Sequence, residues 1–266
     1  MTTAIIGAGV MGETLLSGLV RAGRRVDQLM VGEKRAERSR ELEERYGVAV
    51  VSNRDAAAKA DTIALVVKPQ DMADVLDDIA PSLRPGQLLV SLAAGITTAF
   101  IESRVPDGIA VVRVMPNTPA LVDEGMAAIA PGSHCDESHL AEAESLMAST
   151  GKVIRVPEKQ MDAVTAISGS GPAYIFFVVE SMIEAGVHLG LPRSTATELV
   201  VQTLVGSAAM LRETGTHPVV LREQVTSPGG TTASALRELE VHRVRAAFLA
   251  AMEAARNRSR ELAEGS

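Results

Sequence analysis

The chain has 266 residues, which is long enough for one large domain or two ordinary ones. Of these residues, 46% are hydrophobic and 22% are charged, a globular composition that excludes a disordered protein. Its formal net charge of −7 disfavours a general binder of nucleic acid or anionic membrane, because an acidic surface attracts neither. The single cysteine, Cys135, and the absence of a basic, apolar leader predict a soluble, cytoplasmic protein. The apolar stretch at 173–179 is interrupted by Glu180 and Glu184, so we predict that it is too short to cross a membrane.

Up to about residue 155, short apolar runs alternate with helical patterns. The predicted strands are Ala4–Gly7, Gln28–Val31, Val48–Val51, Thr62–Val67, Gln87–Leu92, Ala110–Met115, Met126–Ala130 and Lys152–Arg155. The predicted helices between them are Met11–Ala22, Lys34–Tyr46, Asp71–Ile79, Thr97–Ser103 and Ser138–Ser149. Strand, helix and strand at this spacing predict βαβ units and an α/β domain with a mostly parallel sheet, assigned to residues 1–157.

From about residue 158 the pattern becomes entirely helical, and we assign residues 158–266 to a second, all-α domain. Long helices are predicted at Ala173–Leu189, Arg193–Glu213 and Val241–Ala263, with a shorter helical pattern at Ala233–Glu240. Several of these helices are apolar around most of their circumference, and such a helix must be buried. A bundle of about 105 residues has little room to bury them alone. We therefore predict that this domain forms a subunit interface.

A glycine motif follows the first predicted strand. Gly7-Ala-Gly-Val-Met-Gly12 has the spacing Gly-x-Gly-x-x-Gly between a strand and a helix. In a dinucleotide-binding turn, Gly7 permits the tight bend, Gly9 lets the backbone approach the pyrophosphate, and Gly12 lets the helix pack on the strand. The first domain is therefore predicted to be a dinucleotide-binding Rossmann domain.

The segment after the second strand bears on the choice of dinucleotide. An acidic residue there binds the ribose 2′-hydroxyl of NAD, whereas a basic residue accommodates the 2′-phosphate of NADP. Glu33 favours NAD, while Lys34, Arg35 and Arg38 favour NADP. Three cations beside one carboxylate leave a positive local field, so the sequence leans towards NADP and leaves NADH open.

Three later strands end in loops that we expect to line the same crevice, because ligands bind outside the carboxyl ends of the strands in open α/β sheets. In the first, Lys68 is positioned to contact cofactor phosphate or ribose. In the second, the small residues at 93–95 would let the nicotinamide lie flat. In the third, Pro116 and Asn117 would wall the far side.

A second glycine-rich segment lies near the C-terminus. Ser227-Pro-Gly-Gly-Thr-Thr232 leads into a helical pattern, and the free N–H groups of a helix start bind anions. We predict that this loop holds a carboxylate or phosphate of the substrate.

Other catalytic patterns are not found. His188, His217 and His242 belong to no signature that links them to a nucleophile, and the cluster from His134 to His139 matches no zinc spacing. No Walker-type lysine follows Gly12, which disfavours phosphoryl transfer. A dinucleotide crevice without an acid–base pair favours hydride transfer to an acceptor that is already electrophilic, such as the protonated imine of a small imino acid. No metal is expected.

Six motifs occur in order along the chain: Gly7-Ala-Gly-Val-Met-Gly12, Ala64-Leu-Val-Val-Lys-Pro-Gln70, Ser91-Leu-Ala-Ala-Gly95, Arg113-Val-Met-Pro-Asn-Thr-Pro119, Ser168-Gly-Ser-Gly-Pro-Ala-Tyr174 and Ser227-Pro-Gly-Gly-Thr-Thr232. As a set, from about residue 3 to 262, they resemble the pyrroline-5-carboxylate reductases of proline biosynthesis. The resemblance implies that NADPH or NADH gives a hydride to C5 of L-1-pyrroline-5-carboxylate, forming L-proline. It also implies a homodimer through the helical domain and dimers that often assemble further into decamers. No nucleic-acid or membrane partner is expected, given the acidic net charge.

The resemblance also assigns roles to residues. Those implied to bind the cofactor are Ile6, Gly7, Ala8, Gly9, Val10, Met11, Gly12, Glu33, Lys34, Arg35, Asn53, Val66, Val67, Lys68, Pro69, Ala93, Ala94 and Gly95. Those implied to bind the substrate are Ser227, Gly230, Thr231, Thr232 and Glu158. Thr232 matches the threonine that the family places beside the ring nitrogen, and it is the implied catalytic residue.

Two alternatives remain open. One is a related reductase of another cyclic imine or of a hydroxy acid. Hydroxy-acid enzymes of this architecture look to a lysine in the helical half, and the chain has no lysine beyond Lys159. The other is a non-catalytic dinucleotide sensor, which has no use for the loop at 227–232.

Overall fold

The computed structural model describes residues 1–264 as two compact units. One unit comprises residues 1–170 with the segment from Ala254 onwards, and the other comprises Gly171–Glu253. Each unit has a different architecture. The first is an α/β sandwich, and the second is all helical.

The first unit contains an eight-stranded sheet. Its strands are β1 Thr3–Ile6, β2 Leu29–Gly32, β3 Ala49–Val51, β4 Thr62–Leu65, β5 Leu88–Ser91, β6 Ala110–Met115, β7 Gly125–Pro131 and β8 Gly151–Arg155. Their order is β3-β2-β1-β4-β5-β6-β7-β8, and only the β6–β7 pair is antiparallel. All eight predicted strands and the mostly parallel sheet are confirmed, and the order reverses between β1 and β4.

Helices cover both faces of this sheet. They are α1 Val10–Arg21, α2 Ala36–Tyr46, α3 Asn53–Lys59, α4 Met72–Ile79, α5 Thr98–Glu102, α6 Glu137–Ala148 and α7 Met161–Val164. Alternate strand residues face opposite layers: Ile5 packs with α1, α2 and α6, whereas Ile6 packs with α3, α4 and α5. Strands buried on both faces explain the nearly continuous apolar runs in the sequence.

The second unit contains α8 Gly171–His188, α9 Arg193–Thr214, α10 Pro218–Gln224, α11 Thr231–Val241 and the part of α12 Val244–Glu264 up to Glu253. No residue of α8 is buried within the chain, and Phe176 and Phe177 are 66% and 69% exposed. Adjacent phenylalanines this exposed are costly in water, so this surface is suited to contact with another subunit.

The helical stretch that includes α8 is longer than the apolar run at 173–179, which was predicted to be too short to cross a membrane. By length and composition alone, the helical stretch Glu158–His188, 31 residues long, is able to cross a membrane. The expectation considered only 173–179, whereas the helical stretch begins earlier. One such helix is weak evidence for a membrane span, because apolar helices of soluble proteins meet the same criterion.

Three helical segments were missed. Helix α3 follows Ser52, whose hydroxyl accepts from the Asp55 backbone N–H at 3.1 Å, an N-cap pattern that the sequence already carried. Helix α10 begins at Pro218, and proline is favoured at the first position of a helix. Helix α7 continues into a π-helical turn at Thr165–Gly169.

Candidate functional site

Five loops of the first unit lie at one edge of the sheet, at the carboxyl ends of β1 to β5. They are the glycine loop after β1, the β2–α2 connection, the start of α3 after β3, and the loops after β4 and β5. These strands are mutually parallel, so all five loops emerge on the same side. Every predicted cofactor residue lies in one of these loops, at the end of its strand or at the start of the helix that follows.

The glycine loop has the shape that a dinucleotide requires. Gly7 has φ +98°, and a Cβ there would lie 2.5 Å from the Val66 carbonyl oxygen. A Cβ on Gly12 would overlap the Gly7 carbonyl, so only glycine lets α1 approach β1 this closely. A Cβ on Gly9, in contrast, would meet nothing within 4 Å. The open space above Gly9 therefore fits a pyrophosphate group at the N-terminus of α1.

Side chains of the β2–α2 connection hold the glycine loop. The Nε of Arg38 donates to the Ala8 carbonyl oxygen at 3.1 Å, and its guanidinium also pairs with Glu13 and Glu41. Glu13 accepts further hydrogen bonds from Arg45 at 2.8 Å and from the Tyr46 hydroxyl at 2.9 Å. Burial raises the pKa of Glu13, but these partners outweigh it and hold the pKa below its ordinary value. The bracing role of Arg38 was not predicted, because its partners lie far away in sequence.

Glu33 and Asn53 line a cavity of about 470 Å³ at the same edge. The Glu33 carboxylate is bound by Arg35, whereas Lys34 is exposed and, among residues 1–264, makes no ion pair. Asn53 is the first residue of α3, only 7% exposed, and its Oδ1 would lie 2.6 Å from a Cβ on Gly32. These residues meet where the adenosine half of a dinucleotide is expected.

The loops after β4 and β5 flank the point where the strand order reverses. The Val66 N–H donates to the Ile6 carbonyl oxygen at 2.8 Å, which places 66–69 beside the glycine loop. Lys68 is exposed and precedes a short 3-10 turn at Pro69–Asp71. Gly95 has φ +79°, and a Cβ there would lie 3.7 Å from the Ala263 nitrogen, near the end of α12.

Glu158 lies in the first unit and has protein partners for both carboxylate oxygens. It accepts from the Thr98 backbone N–H at 2.7 Å and from the Thr98 hydroxyl at 2.6 Å. The buried Arg113 approaches it at 3.5 Å. The carboxylate therefore secures the start of α5, a role that the sequence analysis did not anticipate.

The side-chain nitrogen and oxygen of Asn117 are both hydrogen-bonded. Its Nδ2 donates to the Ser168 carbonyl oxygen at 3.1 Å, and its Oδ1 accepts from the Met126 N–H at 2.8 Å. Ser168 belongs to the π-helical turn, and such turns often occur at functional sites. Asn117 thus ties this turn to β7.

The second glycine-rich segment belongs to the helical unit. Gly229 has φ +68°, Gly230 is the N-cap of α11, and Thr231 and Thr232 are its first two residues. The Gly230 N–H donates to the Ser227 carbonyl oxygen at 3.0 Å. The N–H groups of Thr231 and Thr232 are among those that an α-helix leaves without an intrahelical acceptor, as an anion site requires.

Among the described residues, no group of three or more His, Cys, Asp or Glu side chains is placed to hold a metal ion. Asp136 and His139 form a capping box at the start of α6. Cys135 donates to the Val111 carbonyl oxygen at 3.0 Å, and burial raises the pKa of its thiol, so it is a poor nucleophile.

The fold and the glycine-loop crevice define a Rossmann-type oxidoreductase with a helical second part. A family model described as pyrroline-5-carboxylate reductase dimerisation matches residues 158–262, and one described as NADP oxidoreductase, coenzyme F420-dependent, matches residues 2–95. The chain is 45% identical to the pyrroline-5-carboxylate reductase of Corynebacterium melassecola, with 98% of both chains covered. It is 46% identical to that of Mycobacterium tuberculosis, with 97% of this chain and 96% of the relative covered.

Solved structures agree. The pyrroline-5-carboxylate reductase of Coxiella burnetii superimposes with a TM-score of 0.94 at 38% identity, covering 98% of both chains. The Plasmodium falciparum pyrroline carboxylate reductase, solved with NADP bound, gives a TM-score of 0.87 at 32% identity, covering 99% of this chain and 98% of that one. The chain belongs to the pyrroline-5-carboxylate reductase family. The predicted resemblance, fold class and NAD(P)H-dependent oxidoreductase class are confirmed.

Proposed function

We propose that the chain reduces L-1-pyrroline-5-carboxylate to L-proline with NAD(P)H, as the last step of proline synthesis. The main support for this proposal is that the chain matches, over almost its whole length, proteins that are named pyrroline-5-carboxylate reductase. The glycine loop, open above Gly9 at the N-terminus of α1, supplies a fitting dinucleotide cradle.

The chemistry needs little from the protein beyond positioning. When bound, the reduced nicotinamide supplies a hydride, which adds to C5 of the protonated ring imine. The C=N π electrons become the nitrogen lone pair, and the nitrogen keeps its proton. A protonated imine is already electrophilic, which accounts for a site without a strong acid–base pair.

We assign the cofactor to the residues predicted from the family motifs. The backbone of Gly7, Ala8 and Gly9 lies against the pyrophosphate, and Val10, 71% exposed at the first turn of α1, packs against the cofactor. Asn53 serves the adenosine side. Residues 66–69 and 93–95 serve the ribose and nicotinamide.

We assign the substrate carboxylate to Gly230, Thr231 and Thr232, with Ser227 beside them. The available donors are the N–H groups of the two threonines, because the Gly230 N–H already donates to the Ser227 carbonyl oxygen. The Thr232 hydroxyl orients the ring nitrogen by a hydrogen bond and does not act as a strong acid. Glu158 remains a proposed contributor on the substrate side. The hydrogen bonds from Thr98 favour an indirect contribution, through the position of α5.

The proposed domain boundary is at residue 157/158, between the dinucleotide-binding domain and the helical domain. The match to a dimerisation domain supports homo-oligomerisation, and the exposed apolar surface of α8 supports its location. Assembly of dimers into decamers, a cytoplasmic location and the absence of nucleic-acid and membrane partners are part of this proposal. The single cysteine favours the cytoplasmic location, and the acidic net charge favours the absence of nucleic-acid and anionic-membrane partners.

The test is oxidation of NADPH and, in parallel, of NADH by the purified full-length protein given racemic pyrroline-5-carboxylate, with proline measured as the product. Proline formed in step with cofactor oxidation supports the proposal. Cofactor binding without turnover would overturn it in favour of another imine substrate or a dinucleotide sensor.

A further inference from the structure

The carboxylate of Glu33 is almost completely enclosed although it lies at the edge of an open cavity. Its side chain is only 8% exposed. Oε1 accepts from the Arg35 backbone N–H at 2.9 Å and from Arg35 Nε at 3.1 Å, and Oε2 accepts from Arg35 Nη2 at 3.0 Å. One arginine therefore fixes the carboxylate in a single orientation.

Glu33 is ionised at neutral pH despite this enclosure. Burial, the largest single effect, raises its pKa, but the hydrogen bonds and charge of Arg35, with the backbone N–H of Ala8, together bring the pKa below the ordinary 4.5. A fixed negative charge thus lies at the end of β2.

The cations that favoured NADP in the sequence are mostly committed to carboxylates. Arg35 forms a two-pronged pair with Glu33, and Arg38 binds Glu13, Glu41 and the Ala8 carbonyl. The charge of a guanidinium in such a pair is largely cancelled by its carboxylate, so it attracts a phosphate less strongly than a free cation does. Lys34 is the remaining cation of this segment, and within the part of the chain that the structure describes it has no ion-pair partner.

The cavity beside Glu33 is acidic. Its walls include the carboxylates of Glu33, Glu43 and Asp78 and the ammonium of Lys34, and Asp78 is paired with Arg54 at 2.8 Å. The two serine hydroxyls in the wall already donate elsewhere, Ser39 to the Arg35 carbonyl and Ser52 to Asp55. A 2′-phosphate here would meet three carboxylates, two of them paired with arginines, together with one lysine and two hydroxyls that already donate elsewhere.

We propose that Glu33 is the specificity-determining residue of the cofactor site, accepting a hydrogen bond from the ribose 2′-hydroxyl and repelling a 2′-phosphate. The chain then uses both cofactors but binds NADH more tightly than NADPH. The three cations of this segment suggested a preference for NADP in the sequence. The structure reverses this preference because Arg35 and Arg38 are paired with carboxylates. The inference rests on the cofactor assignment of the proposed function.

The test measures dissociation constants of the full-length protein for NADH and NADPH by nicotinamide fluorescence, with 5′-AMP and 2′,5′-ADP as competitors. We expect NADH to bind at least about tenfold more tightly than NADPH, about 1.4 kcal/mol, and 5′-AMP to compete better than 2′,5′-ADP. Glu33→Gln should move the NADH-to-NADPH ratio about tenfold towards NADPH. Glu43→Gln, a matched change in the same cavity away from the strand end, should move it less than about threefold.

NADPH binding as tightly as NADH in the unmodified protein would overturn the proposal, as would an unchanged ratio in Glu33→Gln. An equal shift in Glu43→Gln would assign the selectivity to the charge of the cavity and not to Glu33. Failure of either nucleotide to bind would instead overturn the cofactor assignment itself. The competition by 5′-AMP and 2′,5′-ADP is measured on the unmodified protein, so this part of the test does not depend on the folding of any variant.

Discussion

The Nε of Arg38 donates a hydrogen bond to the carbonyl oxygen of Ala8 at 3.1 Å, joining residues 30 positions apart. The same guanidinium neutralises Glu13, whose carboxylate in the first turn of α1 would otherwise repel a pyrophosphate. Helix α2 therefore helps to hold the glycine loop in its binding conformation.

Arg38→Met should weaken NADH and NADPH binding to a similar extent, by about tenfold each, because the loop that both share loses its brace and Glu13 loses a counter-charge. Titration of each cofactor into the variant checks this. Arg40→Met, on the exposed side of the same helix, is the matched control and should bind both cofactors normally. A selective loss of NADPH binding in Arg38→Met would show that Arg38 contacts the 2′-phosphate instead.

Two glycine substitutions separate folding from binding. Gly9→Ala adds a methyl group to open space at φ −69°, so the melting temperature should not change. Cofactor affinity should fall about 10- to 100-fold, because the methyl group displaces the pyrophosphate from charged hydrogen bonds. Gly12→Ala overlaps the Gly7 carbonyl and should lower the melting temperature. Calorimetry of both variants distinguishes the two effects, and normal cofactor affinity in Gly9→Ala would contradict the assigned cradle.

Glu158→Gln should lower the free energy of unfolding by about 1–3 kcal/mol, since the charged acceptor of two Thr98 hydrogen bonds and the partner of Arg113 is lost. Urea unfolding gives the value, with Glu37→Gln on the exposed surface of α2 as the control. An unchanged stability combined with a raised KM for pyrroline-5-carboxylate would instead assign Glu158 to direct substrate contact.

Thr232→Ala should reduce kcat/KM for pyrroline-5-carboxylate by roughly 10- to 1,000-fold, the range that one positioned hydrogen bond supplies. Thr232→Ser keeps the hydroxyl and should restore most of the activity. Thr226→Ala, just before the same segment, removes only a hydrogen bond to the Arg222 carbonyl and serves as the control. Kinetics of Thr232→Ala equal to those of the unmodified protein would remove Thr232 from the mechanism.

The lowered pKa of Glu13 gives a pH dependence with a defined sign. A carboxyl whose folded pKa is depressed stabilises the fold above its ordinary pKa of 4.5, and this contribution is lost as the pH falls through the lower folded value. Glu13→Gln should therefore reduce stability at pH 7 and show a weaker acid dependence below about pH 4.5. Urea midpoints across this range check the sign, and parallel curves for the two proteins would contradict it.

The sequence was sufficient for the eight strands, the longer helices and the edge of the sheet at which the predicted cofactor residues lie. Strand and helix periods are local, and parallel strands necessarily end on one side, so Gly9 and Lys68 were assigned to one crevice from these patterns. Asn53 was added to them by the family resemblance alone. The short helix α3 was missed because helices were predicted from the spacing of apolar residues, and that criterion does not detect the N-cap at Ser52. Helix α10 was missed because Pro218 serves turns and helix starts equally well.

What the sequence by itself determined is therefore the order of elements, the glycine cradle and the family motifs, all written in patterns a few residues long. Only the tertiary structure decided which charges are free. Arg38 finds Glu13 and Ala8, and Glu158 finds Thr98, across 25 to 60 residues. Such pairing depends on how the helices pack on the sheet, and electrostatic interactions act between neighbours in space whatever their separation along the chain.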